Sequence, residues 1–157
     1  MQHVLSRVVD QLQEFSRLSP QAEYRNQEVS GWSVGQQIEH VLIAMSGMAL
    51  ALRKEHISET QKADNQLKIE VLNSGSFPRG VIQAPEISRP REFVDQDDLK
   101  RLILKTSNRV SGLLDLSERS TIDHPILGQM SRDETIRFMV IHNDHHLSII
   151  ADILAEE

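Results

Sequence analysis

The chain contains no cysteine, which excludes a disulfide framework, a thiolate zinc site, an iron–sulfur cluster and a cysteine nucleophile. No apolar run approaches the roughly 18 residues of a membrane span, and the N-terminus lacks the charge pattern of a signal peptide. Basic residues are in deficit as well, since 17 Lys and Arg stand against 23 Asp and Glu. Phosphate neutralisation supplies most of the affinity for nucleic acid, so we expect neither a nucleic-acid nor a membrane partner.

What the chain does contain suits a globular protein. Its 157 residues are 39% hydrophobic, and a chain of this length fills one typical domain with a real core. We therefore predict a single domain over residues 1–157, located in the cytoplasm.

Aliphatic residues recur at helical rather than alternating spacing, which predicts four long helices and no strand. The first covers about Gln2 to Leu18 and stops at Ser19-Pro20. The second starts at the capping box Ser33-Val-Gly-Gln36 and runs to about His56.

The last two helices follow a long connection. The third begins at Asp95 and extends through Leu114, with Gly112 as a weak point, and the fourth starts at a second capping box, Ser131-Arg-Asp-Glu134. In the connection we predict a short helix near Lys62 to Leu72, followed by an irregular segment, 73–94, rich in proline and glycine. Segments of this kind are usually functional covers or disordered linkers. The pattern as a whole predicts an all-α fold, a four-helix bundle with a long crossover between helices 2 and 3.

Three of the seven histidines lie within five residues, in Ile141-His-Asn-Asp-His-His-Leu147. The i, i+4 spacing of His142 and His146 places both imidazoles on one helix face, where they could converge on one ion. That face is also the apolar one. Imidazoles among isoleucines must form hydrogen bonds, stay neutral or bind something, so the alternative is a pair of satisfied core histidines.

A third imidazole comes from the second helix, where His40 sits at the margin of the apolar stripe. Small residues near it on the helical wheel either allow close packing or leave a hollow for a ligand: Ala44, Gly47 and Ala51. Together with His142 and His146, His40 completes a set of three imidazoles. Such a set would hold a divalent metal with an open coordination position, although nitrogen donors alone do not choose between zinc, nickel, copper and iron.

Other residues are weaker candidates for the site. His145, at the edge of the stripe, could transfer protons or support the metal ligands, and His124 could reach the same end of the bundle, although either could equally be a surface histidine. Arg79 could hold a substrate carboxylate or be a solvated loop arginine. We expect His56, at the far end of helix 2, to have no role at the metal.

Two segments resemble the metal motifs of the DinB-like (YfiT-type) superfamily. Gly31-Trp-Ser-Val-Gly-Gln-Gln-Ile-Glu-His40 resembles the first motif, and Arg137-Phe-Met-Val-Ile-His-Asn-Asp-His-His146 resembles the second. Further segments are similar to one branch of that superfamily: Phe77-Pro-Arg-Gly80, Ala84-Pro85 and His124-Pro-Ile-Leu-Gly128.

The resemblance implies an antiparallel four-helix bundle, commonly a homodimer, with zinc or nickel held by His40, His142 and His146. It also implies thiol-dependent transfer or isomerisation, or metal-dependent hydrolysis. The leading hypothesis is therefore a metal-dependent transferase or hydrolase that activates a low-molecular-weight thiol or water for reaction with a small molecule. The alternatives are a non-catalytic metal- or ligand-binding protein and a structural dimer whose histidines have no function.

Overall fold

The computed structural model describes residues 1–54, 65–80 and 82–155. This part of the chain is mostly helical, with five α-helices and one β-hairpin: α1 (Gln2–Leu18), α2 (Val34–Leu52), α3 (Gln66–Ser74), α4 (Gln96–Val110), β1 (Thr121–His124), β2 (Gly128–Ser131) and α5 (Arg132–Leu154). None of the described helices combines the length and the apolar character that a bilayer crossing requires.

The predicted helix starts are confirmed at their caps. The Ser33 hydroxyl accepts the Gln36 backbone N–H at 3.2 Å, while the Gln36 side-chain oxygen accepts the Ser33 N–H at 3.0 Å. Ser131 and Glu134 form the same reciprocal pair at the start of α5. Each box satisfies backbone donors that the first helical turn cannot pair internally.

Two predicted helix ends are wrong. Helix α2 ends at Leu52 rather than near His56, which lies outside the described residues. Helix α4 ends at Val110 rather than continuing through Leu114, because Gly112 adopts a φ of 71°, a left-handed conformation that stops an α-helix. The short helix predicted near Lys62 to Leu72 is α3, which begins after its cap Asn65.

The β-hairpin contradicts the prediction that the chain has no strand. Strands β1 and β2 pair antiparallel, with Ile122 opposite Met130 and His124 opposite Gly128. Only Ile122 and Met130 are buried, one in each four-residue strand. A single buried side chain per strand cannot produce the alternation by which strands are recognised in a sequence.

The core lies between the long helices. Helix α1 packs against α4 and α5, and α2 packs against the same two helices. The largest fully buried side chains come from all four and from the hairpin, among them Phe15, Ile38, Leu99, Met130 and Phe138. This arrangement places the central turns of α2 beside those of α5.

The connection between α2 and α4, called the crossover below, is fixed to α2 by buried polar side chains. Gln36 donates to the carbonyl of Arg91 at 2.9 Å, and the Glu39 carboxylate accepts the Arg91 backbone N–H at 2.7 Å. The Arg91 guanidinium pairs with Glu39, whose side chain is 3% exposed, and with Asp98 at the start of α4. Hydrogen bonds from Arg91 and Arg101 hold the pKa of Asp98 below its ordinary value. The irregular segment is thereby held in a defined position over one end of α2.

Two glycines of α2 should respond in opposite ways to the same substitution. A Cβ at Gly35 would lie 2.9 Å from both the Cβ and the carbonyl oxygen of Ala22, whereas at Gly47 it would meet no heavy atom within 4 Å. We expect Gly35→Ala to destabilise the fold by about 1–3 kcal/mol through this clash. Gly47→Ala should stabilise it by about 0.5–1 kcal/mol through its better helix propensity.

Urea denaturation of the two variants beside the unsubstituted protein measures both effects, and each variant is the other's control. Equal changes in the free energy of unfolding, or a loss at Gly47, would contradict the described packing of α2.

Candidate metal centre and its cavity

Three imidazoles from two helices meet in the interior. His40 comes from α2, and His142 and His146 come from successive turns of α5, which faces α2. The three residues are only 4%, 7% and 6% exposed. One ring nitrogen from each lies within 4.8 Å of the other two, and the Nε2 atoms of His40 and His142 are 3.2 Å apart. The structure therefore brings together the three histidines that the sequence predicts as a set.

Hydrogen bonds outside the cluster orient two of the rings. His40 Nδ1–H donates to the carbonyl oxygen of Ser88 at 2.7 Å, and His146 Nδ1–H donates to the Gln37 side-chain oxygen at 2.6 Å. Gln37 in turn donates to the Ser30 hydroxyl at 2.9 Å. Since a neutral imidazole carries one proton, both rings keep their Nε2 lone pairs free for a shared ligand.

These donors fit a divalent metal ion. Two nitrogens bound at about 2.0–2.1 Å to a tetrahedral ion would lie about 3.3 Å apart, close to the observed Nε2 separation of 3.2 Å. His142 Nδ1 is buried without a hydrogen-bond partner, whereas His142 Nε2–H can donate to the lone pair of His40 Nε2, and an ion bound between these two nitrogens would replace that hydrogen bond. A three-nitrogen set leaves at least one coordination position for an exogenous ligand.

Burial keeps the three rings in the neutral, ligating form. Desolvation lowers the pKa of His40, against the opposing effect of its bond to Ser88. The pKa values of His142 and His146 fall well below the ordinary range because of burial and because of the neighbouring histidines. Neutral imidazoles at neutral pH need release no proton when they bind a metal ion.

The structure places His145 beside this cluster but not in it. Its ring centroid is 5.0 Å from that of His146 and 5.4 Å from that of Phe77 in the crossover. Among the described residues, the group that could share one ion contains His40, His142 and His146 only. Burial, followed by the nearby charge of Arg79, lowers the pKa of His145. His145 thus holds the crossover segment against α5.

His124 reaches the same region from strand β1. Its ring lies 5.2 Å from that of Phe138, and its Nδ1 accepts the backbone N–H groups of Ile126 and Leu127 at 3.2 and 3.1 Å. The side chain therefore closes the hairpin turn while its ring forms part of a cavity wall. Burial lowers the pKa of His124 to about 4.

A cavity of about 340 Å³ opens beside the three imidazoles. The hollow predicted beside His40 is part of it, since Ala44, Gly47 and Ala51 line one wall. The crossover contributes Phe77 and the hairpin contributes Ile122. This volume is in the range of small-molecule sites, and most of the walls are apolar.

Arg79 does not line this cavity. Its guanidinium donates to Asp152 at 2.6 Å and to the Ser148 hydroxyl at 2.7 Å, so it ties the crossover to the outer face of α5. The suggestion that Arg79 holds a substrate carboxylate finds no support in these contacts.

Sequence reasoning missed the residues that support the rings. Gln37 shares the apolar side of α2 with His40, and a buried amide there could have suggested a hydrogen-bond partner. Ser88 lies in an irregular segment and offers only a backbone oxygen, so no side-chain pattern could have indicated it. Phe138 lies close to His142, but its apolar character predicts only core packing.

Stability should fall in acid partly through His124. Above pH 6.5 the ring is neutral in both states, whereas between pH 6.5 and about 4 only the unfolded chain takes up the proton. In metal-free protein we expect this one ring to remove up to about 3 kcal/mol of stability over that range. His124→Asn, whose amide oxygen can still accept the turn N–H groups, should show a correspondingly smaller loss in urea denaturation at pH 7 and pH 4. Identical losses in the two proteins would show that the ring is not buried as described.

The comparisons with known proteins agree with the geometry. The family model described as the DinB superfamily matches residues 2–150, which is nearly the whole chain and includes all three histidines. No curated protein and no solved structure gave a significant match. The family match confirms the resemblance seen in the two histidine motifs. The chain therefore belongs to the DinB superfamily.

Proposed function

We propose that the protein is a divalent-metal-dependent enzyme whose metal is held by Nε2 of His40, His142 and His146. The observation that carries the proposal is the convergence of three buried, neutral imidazoles beside a cavity. A divalent ion held there would lower the pKa of a thiol or of water and so supply a nucleophile at neutral pH. Zinc and nickel are the proposed ions, because imidazole suits both and the family resemblance favours them.

The chain's own residues orient the site and limit the access of water. Gln37 and the Ser88 carbonyl hold two rings by their Nδ1–H groups, which fixes the ring planes and raises the basicity of the opposite nitrogens. Trp32 and Phe138 pack on the rings of His40 and His142, with centroids 5.2 and 5.5 Å apart. Such walls limit the hydration of a reacting group and strengthen electrostatic interactions inside the site.

The remaining architecture belongs to the same proposal. We propose that α1, α2, α4 and α5 form an antiparallel four-helix bundle in which the connection between α2 and α4 is the long crossover. The packing of α1 and α2 against both α4 and α5 supports that topology. We also propose a single domain, a homodimer, a small-molecule substrate and a low-molecular-weight thiol as cosubstrate. These further proposals rest on the sequence.

Removing one imidazole should remove the metal and leave the fold. We expect untagged protein to bind about one zinc or nickel ion per chain, and His142→Ala or His146→Ala to weaken binding at least about tenfold, since two nitrogens remain. Aliphatic packing should keep both variants folded. Elemental analysis after dialysis and far-UV circular dichroism measure the two outcomes, with His3→Ala on the exposed face of α1 as control.

Absence of stoichiometric metal, together with no affinity for added Zn²⁺ or Ni²⁺, would refute the metal centre. With metal bound, consumption of thiols by electrophiles and hydrolysis of esters test catalysis. Loss of either activity in His142→Ala would support the proposal that the protein is a metal-dependent enzyme. Inertness toward every thiol and ester would identify a metal- or ligand-binding protein instead.

Gln37 should support the metal without contacting it. Gln37→Ala removes the acceptor that holds His146 Nδ1–H, and loss of such a partner typically weakens metal affinity about 10–100-fold. Competition with a chromophoric zinc chelator measures the dissociation constant. Gln27→Ala, the same change at an exposed position, should leave it unchanged. An unaltered affinity in folded Gln37→Ala would mean that His146 binds the metal equally well without a hydrogen-bond partner at Nδ1.

A further inference from the structure

The described residues that line the cavity beside the three imidazoles carry no cationic side chain. Its described wall residues include no lysine or arginine, and Asp123 is the charged residue among them. Arg79, which lies between the wall residues Pro78 and Gly80, pairs with Asp152 instead. Away from the metal centre, a carboxylate or phosphate would lose hydration on entering and gain no ionic partner. The lining therefore disfavours an anion. Asp123 is an exposed residue whose carboxylate remains in contact with water, so the largely apolar remainder of the wall favours an uncharged molecule over a cation.

One wall residue offers a fixed hydrogen-bond donor. His124 Nδ1 accepts two backbone N–H groups of the hairpin turn, so it carries no proton, and in the neutral ring the proton lies on Nε2. Among the described residues, Nε2–H of His124 has no hydrogen-bond partner. It also does not belong to the unpartnered polar atoms that are completely buried, so it is accessible to a ligand. His124 thus carries a neutral N–H group that no described residue occupies, and it lines a largely apolar wall.

The ring cannot readily change this role. Protonating Nδ1 would break both bonds to the turn, and moving the proton from Nε2 to Nδ1 would do the same. Packing against Phe138 further restricts the ring. The donor is therefore set in place by the fold before any ligand arrives, which lowers the entropic cost of binding.

We propose that the cavity takes an uncharged, mostly apolar molecule carrying a carbonyl oxygen, as in a ketone, ester or amide, and that Nε2–H of His124 donates to that oxygen. This inference rests on the proposed function only in identifying the occupant as the substrate. Binding itself requires the cavity and His124 but no metal ion. His124 is thereby a substrate-binding residue as well as the support of the hairpin turn.

Three small probes of nearly equal size separate the effect of a carbonyl hydrogen bond from the effect of a negative charge. The probes are acetophenone, ethylbenzene and benzoate, and they are tested on metal-free protein. A neutral hydrogen bond makes acetophenone about 3–10-fold tighter than ethylbenzene. Benzoate, a desolvated anion, is at least about tenfold weaker than acetophenone. Ligand-observed NMR titrations at pH 7 in the presence of a chelator measure the three dissociation constants.

The decisive variant is His124→Asn, whose amide oxygen can still accept the turn N–H groups and whose NH2 group, one bond closer to the backbone than Nε2 of the imidazole, falls short of the position of Nε2–H. It brings the acetophenone-to-ethylbenzene ratio to about one, whereas His3→Asn, the same change at an exposed position of α1, keeps the original ratio. An unchanged ratio in folded His124→Asn, or benzoate binding as tightly as acetophenone, overturns the proposal.

A measurement on the unsubstituted protein covers the case in which the variant does not fold. Long-range ¹H–¹⁵N correlation spectra should show His124 with its proton on Nε2, and acetophenone should shift that resonance. A proton on Nδ1, or no shift at saturation, overturns the proposal. Because these experiments use metal-free protein, failure to bind metal would refute the proposed enzyme while leaving the probe selectivity intact.

Discussion

The geometry of the candidate metal centre depends on the burial of three imidazoles between two helices. An imidazole buried away from water must have its N–H group hydrogen-bonded and must be uncharged. Otherwise its burial destabilises the folded protein. His40 and His146 meet this requirement through Ser88 and Gln37, and burial depresses the pKa of both rings. The lone pairs that remain point into the interior, where no described protein donor serves all three. The same constraint that makes the site tolerable in a folded core thus prepares it for a cation.

This requirement places the segment around Ser88 beside α2. The Ser88 carbonyl can receive His40 Nδ1–H only if the chain after Pro85 runs close to α2. Gln36 and the buried carboxylate of Glu39 hold the next residues, around Arg91, in place. Near the start of α2, Gln36 therefore caps the helix and, with Glu39, holds the crossover, while His40 carries the imidazole. The cavity, the three imidazoles and the crossover form one connected unit rather than separate features.

Local signals in the sequence predict a large part of this arrangement. Both capping boxes set helix starts, and the i, i+4 spacing of His142 and His146 on an apolar face predicts a buried pair. The features that could not be predicted from the sequence depend on contacts between residues far apart in the chain or on the backbone conformation. The two strands of the hairpin bury only Ile122 and Met130, and the end of α4 depends on the conformation of Gly112, since the apolar pattern continues past it. The Ser88 contact involves a backbone atom, which no residue pattern encodes.

The most direct test of the account is anomalous X-ray diffraction from crystals of untagged protein, collected on both sides of the zinc and nickel absorption edges. The account predicts one strong peak per chain, at bonding distance from Nε2 of His40, His142 and His146. Crystals grown with excess Zn²⁺ and Ni²⁺ that show no peak among these rings, or peaks on the surface alone, would contradict it.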